Sequence, residues 1–115
     1  MKKLFSLLTL FLIFSCGGNP HESSKSIIQE GINNITKMDY DAYIELISPE
    51  NREDIRERVL KMTEKDKKKF SDIFKDRKIV AERRWGVDLP LIMKVEFNDG
   101  GYMQAIQIDD KWYIR

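Results

Sequence analysis

LIMKVEFNDGGYMQAIQIDDKWYI, residues 91–114, decides the fold, because its apolar residues recur at every second position. Leu91, Met93, Val95 and Phe97 alternate with Ile92, Lys94 and Glu96, the signature of a strand with one face turned to a core. Asn98-Asp99-Gly100-Gly101 then supplies the Asp-Gly pair favoured in a two-residue hairpin turn. Such a turn sets Phe97 opposite Tyr102, Val95 opposite Gln104 and Met93 opposite Ile106. Directly paired residues share a face, so Tyr102, Ile106 and Ile108 are expected to join the Leu91–Phe97 stripe.

The next turn is a question of parity. A two-residue Asp109-Asp110 turn would place Trp112 and Ile114 with Gln107 and Ala105, on the face opposite that stripe. A three-residue loop, Asp109 to Lys111, pairs Ile108 with Trp112 and Ile106 with Ile114, and gathers every large apolar residue on one side. A one-residue slip sends a strand's whole apolar set into water, and burying two such side chains is worth roughly 3 to 6 kcal/mol, so the three-residue loop is the expectation.

Upstream, Ile79, Ala81, Arg83 and Trp85 alternate with Val80, Glu82 and Arg84 as a further strand, with Gly86 and Pro90 bounding the connection to the next. Before Ile79 the period is helical. Ser23 or Ser24 can cap a helix with Ile28, Ile32, Ile35 and Met38 on one stripe, widened by Ile27. Asp39 caps a short helix carrying Tyr40, Tyr43, Ile44 and Ile47. Ser48-Pro49-Glu50 starts another, whose buried side is Ile55, Val59 and Met62. Thr63-Glu64-Lys65-Asp66 has the form of a capping box, and Phe70, Ile73 and Phe74 follow as an apolar triplet. The charge run Lys65–Lys69 reads as the water-facing side of that helix. The expected fold class is α+β: N-terminal helices packed on one face of a curved antiparallel meander sheet of about four strands.

The chain has 115 residues, 42% hydrophobic and 34% charged, enough for one domain and one core. Its 20 Lys+Arg against 19 Asp+Glu leave a formal net charge of +1, so no excess positive field favours nucleic acid as a partner. One cysteine excludes an internal disulfide, and a single histidine, His21, cannot build a zinc site or a His-based triad. No metal or cofactor is expected.

Met1-Lys2-Lys3, the apolar run Leu4 to Phe14 and the small Ser15 are the three parts of a secretory signal. The apolar run is about 16 Å long as a helix, against a hydrocarbon core of about 30 Å, so a permanent span is not expected. Ile13-Phe14-Ser15-Cys16 resembles the lipobox of bacterial lipoproteins, although Phe14 replaces the usual small residue. That resemblance implies diacylglyceryl transfer to the Cys16 thiol and cleavage before it. Two or three acyl chains hold essentially for good where one holds reversibly. Without Lys2 and Lys3 the balance becomes 18 basic against 19 acidic residues, so the lipid alone would do the membrane work. The division expected is a lipoprotein signal peptide over 1–15, a lipidated cysteine and flexible tether over 16–23, and a single domain over 24–115. Gly17 after the cysteine resembles the outer-membrane sorting pattern of some Gram-negative lineages, so the chain is expected in the bacterial cell envelope, lipid-anchored at the outer membrane.

Lys37-Met38-Asp39-Tyr40-Asp41-Ala42-Tyr43 after a helix, and the terminal Asp109-Asp110-Lys111-Trp112-Tyr113-Ile114, resemble stretches of the cystatin-like, nuclear-transport-factor-two-like superfamily, many of whose members are small bacterial lipoproteins. The usual glycine of the last turn is Asp110 here. The resemblance implies a cone-shaped α+β fold with a pocket between a concave sheet and the first helix, and no single activity. Tyr43, Arg83, Trp85, Tyr102 and Gln104 are the ligand-binding candidates, as large or polar residues on the expected inward faces near the cone's mouth. Aromatics at such spacings also serve simply as core. The function expected is a noncatalytic binding or interaction domain taking a small apolar ligand, a peptide or an envelope protein. Alternatives are an assembly partner of an envelope machine, or an isomerase-like enzyme using Asp39, Asp41 or Glu82 as a base.

Overall fold

The structure, a computed structural model, describes residues 23–115; the expected leader, Cys16 and the expected tether as far as Glu22 lie outside the described residues. Four helices precede four strands: α1 (Ser24–Thr36), α2 (Tyr40–Glu45), α3 (Pro49–Leu60), α4 (Glu64–Lys75), β1 (Ile79–Arg84), β2 (Ile92–Phe97), β3 (Tyr102–Ile108) and β4 (Lys111–Ile114). The strands form one antiparallel meander in the order β1-β2-β3-β4, with α1 packed against it. The chain is an α+β fold.

The helix starts follow their capping residues. Ser23 accepts from the Ser26 N–H, Asp39 from the Ala42 N–H, and Thr63 and Asp66 close a reciprocal capping box. Ser48 departs from this pattern: it holds the N-cap position of α3, but its hydroxyl makes no cap bond, and its N–H donates to the Ile114 carbonyl at 2.7 Å. That bond and the Ile114 N–H to Leu46 carbonyl bond lay the α2–α3 link along the edge of β4.

Two helix expectations are corrected. Met38 is outside the α1 stripe, at φ 60 beyond the helix end, where its N–H reaches the Ile35 carbonyl and the Asp39 N–H the Asn34 carbonyl. This overlapping pair terminates α1, a place usually held by glycine. In α4, Ile73 is exposed, while Ser71 and Phe74 turn inward. The Ser71 hydroxyl satisfies the Thr36 carbonyl at 2.9 Å, seating α4 on the end of α1.

Both expected hairpin registers are off by one. The first loop has three residues: the Gly100 N–H donates to the Phe97 carbonyl, the Phe97 N–H to the Gly101 carbonyl, and Gly100 takes φ 88. This is a three-residue hairpin with a glycine bulge, needing one left-handed residue where the two-residue turn needs two. The Asp99 carboxylate fixes it, accepting from the Gly101 N–H at 2.9 Å and from Arg77 Nε at 2.7 Å. Val95 therefore faces Met103, and Glu96 faces Tyr102. The second loop is the two-residue Asp109-Asp110 turn, with φ 51 and 67, and Trp112 pairs with Gln107 and Ile114 with Ala105.

The two shifts cancel across β3. Met93, Val95 and Phe97, then Met103 and Ala105, then Trp112 and Ile114 line the inner face, while Tyr102, Gln104, Ile106 and Ile108 turn outward. Trp112 and Ile114 stay buried as required, and of β2, β3 and β4 only β3 reverses. In β1 a register shift between Ile79 and Ala81 does the same: Ile79 faces in, and Ala81, Arg83 and Trp85 face out.

The inner face is thus small at its centre, where α1 crosses it. Ile27, Ile28, Ile32 and Ile35 pack on Val95, Phe97, Ala105 and Ile114, with none more than 3% exposed. A Cβ placed on Gly31 would lie 2.5 Å from Ile114 Cδ1 and 3.4 Å from Tyr43 Cε1, so a larger residue there would have to push the buried Ile114 methyl aside. Gly31→Ala is expected to destabilise the domain: overpacking costs about 1 to 3 kcal/mol, set against roughly 1 kcal/mol of helix propensity gained. Ile114→Val removes the clashing methyl. Chemical denaturation of both single variants and the double should show the alanine costing less when Ile114→Val is already present; equal costs with and without it would refute the contact.

Candidate functional site

The outer face of the sheet is built from cross-strand rows. One row is apolar: Trp85 bonds to Ile92 through its N–H at 2.8 Å, Ile92 pairs with Ile106, and Ile106 pairs with Tyr113. The next row is polar and basic: Arg83 pairs with Lys94, Lys94 pairs with Gln104, and Gln104 Oε1 accepts from Arg115 Nη1 at 3.0 Å. Both rows run across the strands, side by side.

Aromatic rings roof the basic row. Trp85 and Tyr102 have ring centroids 6.0 Å apart at 21°, and Lys94 Nζ lies 4.6 Å from the Tyr102 centroid and 5.7 Å from that of Trp85. A cation held on aromatic faces keeps its charge while its stem covers apolar surface. Glu96 accepts from Arg83 at 3.0 Å and lies 3.5 Å from Lys94 Nζ. Arg83, Lys94 and Arg115 line the basic row, with Glu96 beside it and Asp88 on the adjoining groove. Trp85 and Tyr102 nevertheless remain 43% and 48% exposed.

Beside Trp85, the β1–β2 connection frames an open groove of about 340 Å³ lined by Trp85, Val87, Leu89, Pro90, Ile92 and Arg115. Val87 and Leu89 are 86% and 84% exposed, an unusual placement for two aliphatic side chains beside a tryptophan.

Of the five candidates named from the sequence, Arg83, Trp85, Tyr102 and Gln104 come together, but on the outer face and not on the inward one expected. The shifts in the hairpins and β1 carry them there. Tyr43 is apart from them, partly buried on α2 against the core and over Gly31. The space between α1 and the sheet, where a pocket was expected, is occupied by the isoleucines and strand residues of the core. Lys94, Ile92, Arg115, Val87 and Leu89 were missed by sequence reasoning. Val87 and Leu89 carried a usable signal, as aliphatic residues inside a Gly- and Pro-bounded loop.

The acids considered as bases have local partners. Asp39 Oδ1 accepts from the Ala42 N–H, Asp41 is an exposed first-turn residue, and Glu82 is exposed and accepts from the Ser24 hydroxyl. Among the described residues, no group of three or more His, Cys, Asp and Glu could hold a metal, and no helix is long and apolar enough to cross a membrane. No family model, curated protein or solved structure matches the chain.

Tyr43 has its own signature. Burial, and secondarily the nearby Tyr40, push its hydroxyl up to about 12. The folded chain then keeps a proton that the unfolded chain, titrating near 10, releases, so this stability is whole below pH 10 and is lost as pH rises toward 12. Tyr43→Phe should remove about 2 to 3 kcal/mol of the alkaline loss, leaving the part due to Tyr40, whose hydroxyl burial also raises. Denaturant midpoints measured at pH 9, 10, 11 and 12 for both chains check this; parallel curves would contradict it.

Proposed function

We propose that the chain is a noncatalytic binding or interaction module held at the bacterial cell envelope by lipid on Cys16, and that the outer sheet face is its contact surface. One observation carries the contact surface: Trp85, Tyr102 and Lys94 converge on a half-exposed face whose apolar and basic rows run in parallel, while the interior is packed with the chain's own side chains. Aromatic and arginine residues at the centre of an exposed patch are the usual anchors of protein recognition. Parallel apolar and cationic rows suit a peptide or protein segment that presents aliphatic side chains on one side and carboxylates on the other. An isolated small apolar ligand would leave the basic row unused.

The anchor reading rests on Met1-Lys2-Lys3, the short apolar run and the Ile13–Cys16 lipobox. The cystatin-like, cone-shaped fold is proposed on the same footing as the lipoprotein, from the resemblance of 37–43 and 109–114 and from helices followed by an antiparallel meander. A noncatalytic role is favoured because Asp39 is engaged as a helix cap and Asp41 and Glu82 are exposed to water, outside any apolar enclosure that would tune a base. Assembly with an envelope machine is the same surface put to a particular use.

A photo-crosslinking residue at Gln104 tests the surface, with one at Lys69 on α4 as the control position. In native envelopes Gln104 should give a discrete adduct and Lys69 none. Lys94→Glu should reduce the Gln104 adduct about tenfold or more, as expected when a central charge is reversed. Equal labelling from both positions, or an adduct indifferent to Lys94→Glu, would refute the assignment.

A further inference from the structure

The two edges of the sheet are treated differently. The α2–α3 link lies along β4, with bonds between Ser48 and Ile114 and between Ile114 and Leu46. β1 is terminal in the strand order, and among the described residues it packs only with β2 and α1. The Trp85 N–H bonds to Ile92 of β2, and backbone direction alternates along a strand, so the N–H and C=O groups of Glu82 and Arg84 point away from the sheet. An open edge of this kind is a template for another strand.

From this edge we propose that β1 pairs antiparallel with β1 of a second copy of this chain, about a two-fold axis through Arg83, joining two sheets into one of eight strands. This goes beyond the contact surface of the outer face, because it uses the backbone edge of β1, with Arg83 and Trp85 common to both.

The register follows from charge. Three two-fold alignments bring the free backbone groups of 82 and 84 opposite one another. Centring on Glu82 sets Glu82 against Glu82, and centring on Arg84 sets Arg84 against Arg84. Centring on Arg83 pairs Glu82 with Arg84 of the second copy twice over against one like-charged pair, Arg83 with Arg83, whereas each of the other two registers opposes like charges and gains no opposite-charge pair. In this register Trp85 stands opposite Ala81 of the second copy, a large residue over a small one. Arg83 meets its counterpart on the axis, with each guanidinium already bonded to its own Glu96 at 3.0 Å.

The geometry of α1 agrees. The Ser24 hydroxyl donates to Glu82 Oε2, so the first turn of α1 lies beside this edge. A two-fold axis perpendicular to the sheet puts both α1 helices on one side and brings both Ser24 residues near the axis. Both α1 helices therefore begin on the same side of the joined sheet. The pairing spans only residues 81–85, so a weak, reversible dimer is expected in solution.

The test uses the full-length chain in detergent. Arg83→Cys under mild oxidation should give a disulfide between two residue-83 peptides, identified by mass spectrometry and thereby distinguished from any link through Cys16. Val80→Cys, three positions off the axis, should give none between residue-80 peptides. By sedimentation, Glu82→Arg and Arg84→Glu should each weaken dimerisation about tenfold, and the double variant should restore it. Restoration separates charge pairing from loss of the Ser24 contact, which the double variant also lacks. A chain that stays monomeric at every concentration, a residue-83 link no more frequent than the residue-80 link, a double variant as weak as the singles, or an edge that accepts only foreign peptides would each overturn the proposal.

Discussion

The close seating of α1 on the sheet is the constraint from which the other features follow. Gly31 lets the helix backbone approach Ile114, and Ala105, fully buried, gives the middle strand a small residue beneath the helix. Interiors tolerate neither gaps nor excess volume, so a central strand that presented Tyr102, Ile106 and Ile108 inward would lift α1 away and open the contacts that Ile28, Ile32 and Ile35 make. Turning β3 over solves this without moving its neighbours. A three-residue loop before it and a two-residue loop after it are the means.

That reversal also creates the outer face. Ile106 is buried in the row between Ile92 and Tyr113, Tyr102 leans over Lys94 beside Trp85, and Gln104 holds Arg115 at the end of the basic row. The β3 part of that surface, Tyr102, Gln104 and Ile106, is made of residues displaced from the core, and the β1 register shift brings Arg83 and Trp85 beside it. Core packing and candidate function are coupled through these two parity choices.

Much of the fold was legible in the sequence. Helices α1, α2 and α4 start at the capping residues expected of them, because caps act through bonds within one turn, α3 starts at Ser48 with Pro49 at its first position and no cap bond, and the period-two pattern after Ile79 marks four strands. Register was not legible, for a physical reason. Asp99-Gly100 suits a two-residue turn as well as the three-residue loop it forms, and the decision lies with Arg77, which reaches Asp99 from 22 positions away while its guanidinium stands over Phe74 and Phe97. The second turn was excluded by an argument about Trp112 and Ile114 that was sound only if the first register held. Arg83, Trp85, Tyr102 and Gln104 lie near one another, but on the outer face and not on the inward one expected, and Tyr43 was joined to them although α2 packs it against the core.

The two tryptophans decide the matter directly, since the expected registers put Trp85 and Trp112 on one face and the structure puts them on opposite faces, 43% and 8% exposed. Fluorine NMR of the 5-fluorotryptophan-labelled chain, with Trp85→Phe to assign the two resonances and a soluble paramagnetic agent to report access, measures this. Strong broadening of the Trp85 signal with the Trp112 signal protected is the predicted result. Equal protection of both would contradict the β1 register shift that turns Trp85 outward, and with it the outer-face site.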